Sequence, residues 1–429
     1  MDKRKLNNET GITIIALSIT IIVMLILAGI SIATVSPMIK NSEEAKQEQD
    51  IETEKSIVSR AAFAAEKVGV KGEITQANLQ KMMQNELPSG NFTVTDNGDG
   101  FTITFTDSNR SYNVDAVVNA SDYNPASEGV PIPDGFYYVG GTKDSGVVIS
   151  DNSADERLDA GKKNVRRELA GNQFVWIPVD NSIDYKRVAY STNFSTGTTD
   201  TTTNSEKINY SSSDSNYFTE ALPVDEESSV KKNKGYYIGR YEAGDKECTE
   251  SKKLRTESNT DHKVVVRAGQ APYDHVTKEQ AQSLAVEFSS KQGYTSVKSK
   301  LVSSYAWDTA IAFIQKKNSD YGNSSEEGNY FNTIFSYTGI GDTEVNKQNK
   351  ADRERILIPT GQTTAVNNIY DMGGNLYEWT TETCSNTLDC YSARGGGYNY
   401  YYSLFPAGHR SYLSERSDQY CGFRITLFL

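Results

Sequence analysis

The sequence predicts an α+β protein with a long N-terminal membrane helix, a small α/β headpiece and a large C-terminal domain. Three observations support this fold class. Residues 12–35 carry no charge, residues 92–118 contain short alternating apolar runs around a turn, and residues 134–429 are rich in tyrosine and glycine. The first segment is long enough to span a membrane, and the last can bury its own core.

The uncharged segment 12–35 is predicted to be a membrane-spanning helix. As a helix it would extend about 36 Å, against about 30 Å for the hydrocarbon core. Lys3, Arg4 and Lys5 precede the segment. The positive-inside bias therefore places the leader in the cytoplasm and the rest of the chain outside the cell.

The beginning of this segment, GITIIALSITIIVMLILAGISIATV, resembles the N-terminus of type IV prepilins and pseudopilins. The resemblance implies a leader of residues 1–11, cleavage by a prepilin peptidase between Gly11 and Ile12, methylation, and packing with other pilin-like subunits. It also implies passage from the cell membrane to a pilus-like filament at the cell surface. Ala16 stands where major pilins carry glutamate, which favours a minor or tip subunit. An ordinary signal anchor is the alternative.

Residues 12–68 are predicted to form one pilin-like helix with a kink at Pro37, because apolar residues recur at helical spacing as far as Ala65. Residues 69–118 are predicted to form the headpiece. A short helix is expected from a threonine cap at Thr75. The pattern NFTVT, DNGDG, FTITF then predicts a hairpin, and SYNVDAVV predicts a third strand.

A polar, proline-marked linker, residues 119–133, is predicted to lead into the large domain, residues 134–429. Within that domain, residues 191–216 are almost wholly Ser, Thr, Asn and Asp, so they are predicted to form a flexible insertion. The net charge of the chain is −12. A nucleic-acid partner is therefore not expected, because phosphates require a basic face.

Four cysteines are present. Cys384 and Cys390 are close enough in sequence to form a local disulfide in an oxidising compartment, worth roughly 2 kcal/mol. A metal-binding pair is the alternative. The sequence leaves open whether Cys248 and Cys421 pair with each other.

Several motifs mark the large domain, in this order along the chain: FVWIPV (174–179), GYYIGRYEA (235–243), APYDHVTKEQAQSLA (271–285), AWDTAIAFI (306–314), NIYDMGGNLYEWTTE (368–382), ARGGGY (393–398) and CGFRITL (421–427). Together they resemble the formylglycine-generating enzyme, or sulfatase-modifying factor, family. The resemblance implies a variant of the C-type lectin fold, with short twisted strands, two helices and much irregular loop.

Catalysis by the family mechanism is not expected. The oxidases of this family need a copper-binding cysteine pair between the RGGS-type and GFR motifs, and the interval Gly395 to Tyr420 contains no cysteine. The related iron enzymes need a histidine cluster, whereas His262, His275 and His409 are far apart in sequence. We therefore predict no copper, no iron and no enzyme activity. A sulfatase-modifying-factor-type oxidoreductase with an unrecognised active site is the alternative.

The resemblance also implies a structural calcium ion before the EW motif. Carried over to this chain, the side-chain and carbonyl ligands are Asp371, Gly374, Leu376 and Glu378. Two carboxylates and turn carbonyls suit a hard cation. The alternative is that Glu378 is buried as a charge pair with Arg394 or Arg424.

The segment between the ARGGGY and GFR motifs is rich in tyrosine and small polar residues. The predicted ligand-binding residues are Tyr398, Asn399, Tyr400, Tyr401, Tyr402, Ser403, His409, Tyr412, Asp418 and Tyr420. Tyrosine with serine and asparagine is typical of antibody paratopes, where it combines rigid contact area with adaptable hydrogen bonding. The segment also resembles the variable region of retroelement-diversified proteins.

These observations predict a cell-surface, adhesin-type binding protein. Its C-terminal lectin-like face, about residues 397–421, is expected to recognise a protein or glycan ligand, and its N-terminal helix to attach it to the membrane or a pilus. A minor pseudopilin of a secretion or DNA-uptake system is a further alternative.

Overall fold

The computed structural model describes residues 47, 49–62, 64–65, 68, 74–96, 100–115, 123–190, 195–200, 205–210, 216–248, 260–323, 325–338, 347–385, 390–414 and 419–429. The chain divides into two compact units, Met1–Val117 and Val118–Leu429.

The predicted fold class is wrong in its first element, the long pilin-like membrane helix. Over the part of the chain that the structure describes, no helix combines the length and the apolar character needed to cross a membrane. The helix over residues 49–62 is polar on its exposed side and buries Val58 and Ala61 in the headpiece core. Gly11, Ile12 and the uncharged segment lie outside the described residues. The described fold is α+β, with short helices and several sheets.

The first unit contains helix α1 (49–62), helix α2 (Gln76–Glu86) and a three-stranded antiparallel sheet. Its strands, in sheet order, are β1 (Phe92–Asp96), β2 (Gly100–Phe105) and β3 (Ser111–Asp115). Helix α2 begins after Thr75, whose side chain accepts a hydrogen bond from the amide of Asn78. The cap, the hairpin and the third strand lie where the sequence predicted them.

Among the described residues, the second unit contains three α-helices and most of the strands. The helices are α3 (Val224–Asn233), α4 (Lys278–Gln292) and α5 (Ser304–Gln315). The strands are β4 (Tyr137–Gly141), β5 (Val148–Ser150), β6 (Asp159–Ala160), β7 (Gln173–Pro178), β8 (Ser195–Asp200), β9 (Ser205–Asn209), β10 (Tyr217–Thr219), β11 (Gly235–Gly239), β12 (Gly244–Asp245), β13 (Val264–Val265), β14 (Ala271–Pro272), β15 (Lys298–Leu301), β16 (Phe335–Thr338), β17 (Lys347–Lys350), β18 (Tyr377–Cys384), β19 (Cys390–Arg394), β20 (Arg410–Ser414), β21 (Cys421–Phe423) and β22 (Ile425–Phe428).

Two seven-stranded sheets organise this unit. The first has the order β15-β22-β11-β7-β5-β4-β6. The second has the order β20-β19-β18-β10-β9-β8, and β21 pairs with β18 in parallel. A three-stranded sheet, β13-β12-β14, and the hairpin β16-β17 complete the described sheets. Strand β18 therefore carries the EW motif next to the tyrosine-rich segment.

Strand β7 is apolar from Phe174 to Pro178 because both of its faces are covered. Phe174 and Trp176 belong to one hydrophobic core, and Val175 and Ile177 belong to another. Successive side chains of β7 thus pack alternately into two different cores, as expected for a strand buried on both faces.

The predicted flexible insertion, residues 191–216, differs from expectation in containing two paired strands, β8 and β9. They extend the second sheet through β10, and Ile208 is fully buried against Phe218. In the described parts of this segment, 195–200 and 205–210, backbone pairing forms the strands although the composition offers little apolar surface.

Candidate binding face

The tyrosine-rich segment forms a loop, residues 395–409, between β19 and β20. Gly395 and Gly396 have φ values of +91° and +72°, which glycine adopts readily. A Cβ atom at Gly396 would lie 2.1 Å from the carbonyl oxygen of Phe405. The ARGGGY motif is therefore needed for the loop to fold back on itself.

Buried charges hold the two ends of the loop together. Arg394 and Arg410 are opposite each other on β19 and β20, and both bind the carboxylate of Asp308. Arg394 Nε also donates to the carbonyl of His409 at 3.0 Å. All three charged side chains are fully buried. The base of the loop is thus tied to helix α5.

Glu382 on β18 extends this network. It accepts hydrogen bonds from Arg410 and Arg187. Burial raises the pKa of Glu382, but the opposing effect of Arg410, Arg187 and Arg394 is larger, so the pKa falls well below its ordinary value. The carboxylate is therefore ionised, and it balances the arginines beneath the loop.

His409 lies inside this base and not on the surface. Its side chain is buried, and its ring packs against Phe405 with 4.8 Å between centroids. Burial, with the nearby charges of Arg394 and Arg410, lowers the pKa of His409 to about 3. The imidazole is neutral near pH 7, and we assign it a supporting role.

Some of the predicted ligand-binding tyrosines also lie beneath the face. Tyr398 is buried and stacks on Tyr420, with 5.9 Å between ring centroids. Tyr400 is half-buried, and its ring packs against Tyr377 and Phe405 at 5.4 and 4.4 Å. These aromatic contacts support the loop from within.

Other side chains of the same segment reach solvent. Tyr401 is 38% exposed, Leu404 is 63% exposed and Tyr412 is 47% exposed. Ser403 is exposed as well, whereas Asn399 and Tyr402 are partly buried. Large exposed hydrophobic side chains are few in the described ranges, and three of them fall within residues 401–412. Asp418 lies outside the described residues.

The sequence reasoning missed a second segment that packs beside the loop. The amide of Phe331 donates to the carbonyl of Tyr400 at 2.9 Å, and its ring meets Tyr401 edge-on at 5.2 Å. The hydroxyl of Tyr402 donates to Glu326 Oε1 at 3.0 Å. The stretch SSEEGNYFN has the same polar and aromatic character, but its adjacency to a loop some 70 residues away cannot be read from the chain. We call the exposed part of residues 326–334 and 397–413 the C-terminal face.

The four predicted calcium positions form a different arrangement. Glu378 is fully buried and forms a two-bonded ion pair with Arg424, with contacts of 2.6 and 2.9 Å. Asp371 accepts hydrogen bonds from the amide of Gly361 at 2.6 Å and the hydroxyl of Thr363 at 3.3 Å.

Both carboxylates at these positions are thus engaged by protein donors. Gly374 and Leu376 could offer only carbonyls, so the set as arranged does not fit calcium, which favours six to eight oxygens. The charge pair of Glu378 with Arg424, the alternative raised by the sequence, is what the structure contains.

The cysteines take three separate positions. Cys384 and Cys390 form a disulfide between β18 and β19, with Cα atoms 5.2 Å apart. Cys421 is buried at the start of β21. Cys248 Sγ lies 3.4 Å from Asp245 Oδ2, in another part of the fold.

The comparisons with known proteins concern mainly the second unit. Residues 115–427 match the sulfatase-modifying factor enzyme 1-like domain, FGE-sulfatase. Comparison with curated proteins found no match.

Three solved structures are similar to parts of the chain. For PvdO from Pseudomonas aeruginosa the identity is 16% and the TM-score 0.30, with 46% of this chain and 82% of that chain covered. For CarF the identity is 13% and the TM-score 0.29, with 46% of this chain and 87% of that chain covered. For Treponema denticola variable protein 1 the identity is 13% and the TM-score 0.32, with 61% of this chain and 98% of that chain covered. At these TM-scores the likenesses carry no argument about function.

The matched range covers well over half of the chain and contains the whole C-terminal face. The chain therefore belongs to the sulfatase-modifying factor enzyme 1-like domain family.

Proposed function

We propose that this protein is a non-catalytic, adhesin-type binding protein that acts outside the cell, and that its C-terminal face recognises a protein or glycan ligand. The observation that carries the proposal is the exposure of Tyr401, Leu404 and Tyr412 on one short segment whose base is pinned by buried charges.

The chemistry of the face supports recognition. Tyrosine supplies a large contact area at a small cost in side-chain entropy, and Ser403 and Asn399 supply adaptable hydrogen bonds. Tyrosine is also enriched among the few residues that dominate the binding energy of protein interfaces.

The rigidity of the base supports it as well. A surface that is already ordered before binding loses less conformational entropy when the ligand arrives. The bonds of Arg394 and Arg410 to Asp308, and the stack of Tyr398 on Tyr420, order the loop without any ligand.

Two features argue against a redox enzyme at this place. The interval from Gly395 to Tyr420 has no cysteine, so it cannot supply the thiol pair of the family oxidases. His409 is buried, and its ring packs against Phe405 and does not face solvent. An oxidising compartment agrees with the disulfide between Cys384 and Cys390.

We also propose that the segment is genetically diversified by a retroelement. Codons for Tyr, Ser, His and Asp each differ from an Asn codon at one adenine. The test is a nearby near-copy of the 3′ coding region that differs from it only at adenines, beside a reverse transcriptase gene. If the surrounding genome carries no such copy, this part is wrong.

The test of binding uses the full chain against arrays of glycans and of surface proteins. The double variant Tyr401→Ala/Leu404→Ala and the single variant Tyr412→Ala are compared with Ile183→Ala. Ile183 is 70% exposed and lies on a short turn outside the face. We expect the face variants to weaken binding at least tenfold and the control to leave it unchanged.

The outcomes separate binding from catalysis. Equal binding by the face variants and the wild type would overturn the proposed face. Copper-dependent oxidation of a thiol peptide by the full chain, with turnover, would overturn the non-catalytic assignment and favour the enzyme alternative.

A further inference from the structure

We infer that Asp245, Cys248 and His262 form a binding site for one Zn²⁺ ion. One carboxylate oxygen, the Sγ atom and one ring nitrogen of these residues all lie within 4.8 Å of one another. His262 Nδ1 is 2.8 Å from Asp245 Oδ2, and Cys248 Sγ is 3.4 Å from the same oxygen. The inference is independent of the C-terminal face, which shares none of these residues.

The backbone brings the three residues together across β12 and β13. Asp245 pairs with Val264, and the amide of Lys246 donates to the carbonyl of Lys263 at 3.0 Å. The hydroxyl of Tyr273 donates to the carbonyl of His262 at 3.0 Å. Residues that are 17 positions apart in sequence therefore stand side by side.

The carboxylate of Asp245 is oriented by its own backbone surroundings. Its Oδ1 atom accepts from the amides of Glu247 at 2.9 Å and Cys248 at 3.3 Å. The other oxygen, Oδ2, is thereby directed at the thiol and the imidazole. Outer hydrogen bonds of this kind fix the direction of a ligand before the metal arrives.

The donor set indicates zinc. Thiolate, imidazole and carboxylate together suit this borderline-soft ion, which binds them at about 2.0–2.3 Å in a tetrahedron. That geometry separates neighbouring ligand atoms by about 3.4–3.6 Å. The two contacts of Asp245 Oδ2, at 2.8 and 3.4 Å, must lengthen slightly to reach this spacing, and the third separation, from sulfur to nitrogen, is within 4.8 Å. Zinc replaces the proton of the thiol as it binds.

The site is also open to an entering ion. Asp245 is fully buried, whereas Cys248 and His262 are partly exposed. His262 lines a cleft together with Asp261, Lys263 and Phe288. Three protein ligands leave the fourth zinc position for a water molecule.

The chain offers a matched control. His275 Nδ1 lies 2.8 Å from Asp274 Oδ1, the same distance as in the proposed site. In the described ranges, however, this pair is not part of a group of three metal-binding side chains. Within the described residues, a histidine–aspartate contact thus occurs at both places, and the one at Asp245 belongs to a group of three potential ligands.

The experiment uses the full chain, stripped of metal by a chelator and then titrated with Zn²⁺ or with Co²⁺ as a spectroscopic probe. We expect one ion per chain and, with Co²⁺, a thiolate-to-metal charge-transfer band in the near ultraviolet. Cys248→Ser should abolish the band, and both Cys248→Ser and His262→Asn should weaken Zn²⁺ binding more than tenfold. His275→Asn should bind like the wild type.

A second measurement avoids dependence on the folding of the variants. In the wild-type chain, Zn²⁺ should slow alkylation of Cys248 at least tenfold, as measured by peptide mass spectrometry. An unchanged alkylation rate, or wild-type zinc affinity in His262→Asn, would overturn the inference. Equal loss of binding in His275→Asn would overturn it too, because the effect would not be specific to the three ligands.

Discussion

Arg394 and Arg410 lie directly opposite each other on neighbouring strands, and both guanidinium groups bind the single carboxylate of Asp308. Two like charges are thus buried side by side at the base of the C-terminal face. Asp308 and Glu382 offset the repulsion between these charges, because each carboxylate accepts hydrogen bonds from more than one arginine.

Asp308→Asn should strongly destabilise the second unit. The substitution keeps the shape but removes the charge that faces both arginines, and breaking a buried pair costs roughly 3–5 kcal/mol. Chemical denaturation should show this loss in the free energy of unfolding. The control is Lys231→Ala, which removes an exposed i,i+4 pair with Glu227 and should cost about 0.5 kcal/mol or less. Equal effects of the two substitutions would contradict the role given to Asp308.

Tyr400→Ala and Tyr401→Ala should distinguish a side chain that stabilises the loop from one that contacts the ligand. The Tyr400 ring packs against Tyr377 and Phe405, so its loss should lower the free energy of unfolding by roughly 1–3 kcal/mol. Tyr401 is more exposed, and its loss should leave stability nearly unchanged while weakening ligand binding. Calorimetry on both variants tests this, and a larger fall in melting temperature for Tyr401→Ala would show the assignment to be reversed.

Glu220 should make the protein less stable as the pH rises. Burial first, and then the charge of Glu382, raises the pKa of Glu220 from 4.5 to about 8. Because the folded state holds this proton more tightly than the unfolded state, the contribution to stability is complete below pH 4.5. It is lost as the pH rises from 4.5 to 8, by roughly 1.4 kcal/mol for each pH unit.

The variant Glu220→Gln isolates this effect, since glutamine does not titrate. The difference in unfolding free energy, wild type minus variant, should fall between pH 5 and pH 8. Asp371 and Glu378 also have raised pKa values, about 6 and about 7, so the comparison with the variant is needed. A difference that is constant with pH would contradict the raised pKa of Glu220.

Calcium should not stabilise the protein through Asp371, Gly374, Leu376 and Glu378, the four ligand positions that the family resemblance suggested. Arg424 already occupies both oxygens of Glu378, so adding Ca²⁺ after chelation should leave the melting temperature unchanged. Glu378→Gln should lower the free energy of unfolding by roughly 1–3 kcal/mol, with or without calcium, because the neutral side chain no longer accepts both bonds from the buried Arg424. A rise in melting temperature with Ca²⁺ that is lost in Glu378→Gln would instead favour the calcium site.

Local features of the fold were predictable from the chain. The helix after Thr75 follows from its cap, the strands at Phe92–Asp96 and Gly100–Phe105 follow from alternation around a turn, and the family follows from motifs that each span a few residues. The location of the tyrosine-rich segment follows from the ARGGGY and GFR motifs on either side of it. In each case the determining interactions join residues that are close in sequence.

The sequence by itself determined the family, the absence of a cysteine pair near the GFR motif and the segment that forms the face. Only the tertiary structure decided which neighbours of that segment are buried, Tyr398 and His409, and which is exposed, Tyr401. It also decided the contact with Phe331 and the grouping of Asp245 with His262. The physical reason is that burial and long-range contact depend on which strands and helices pack together, and composition does not encode this.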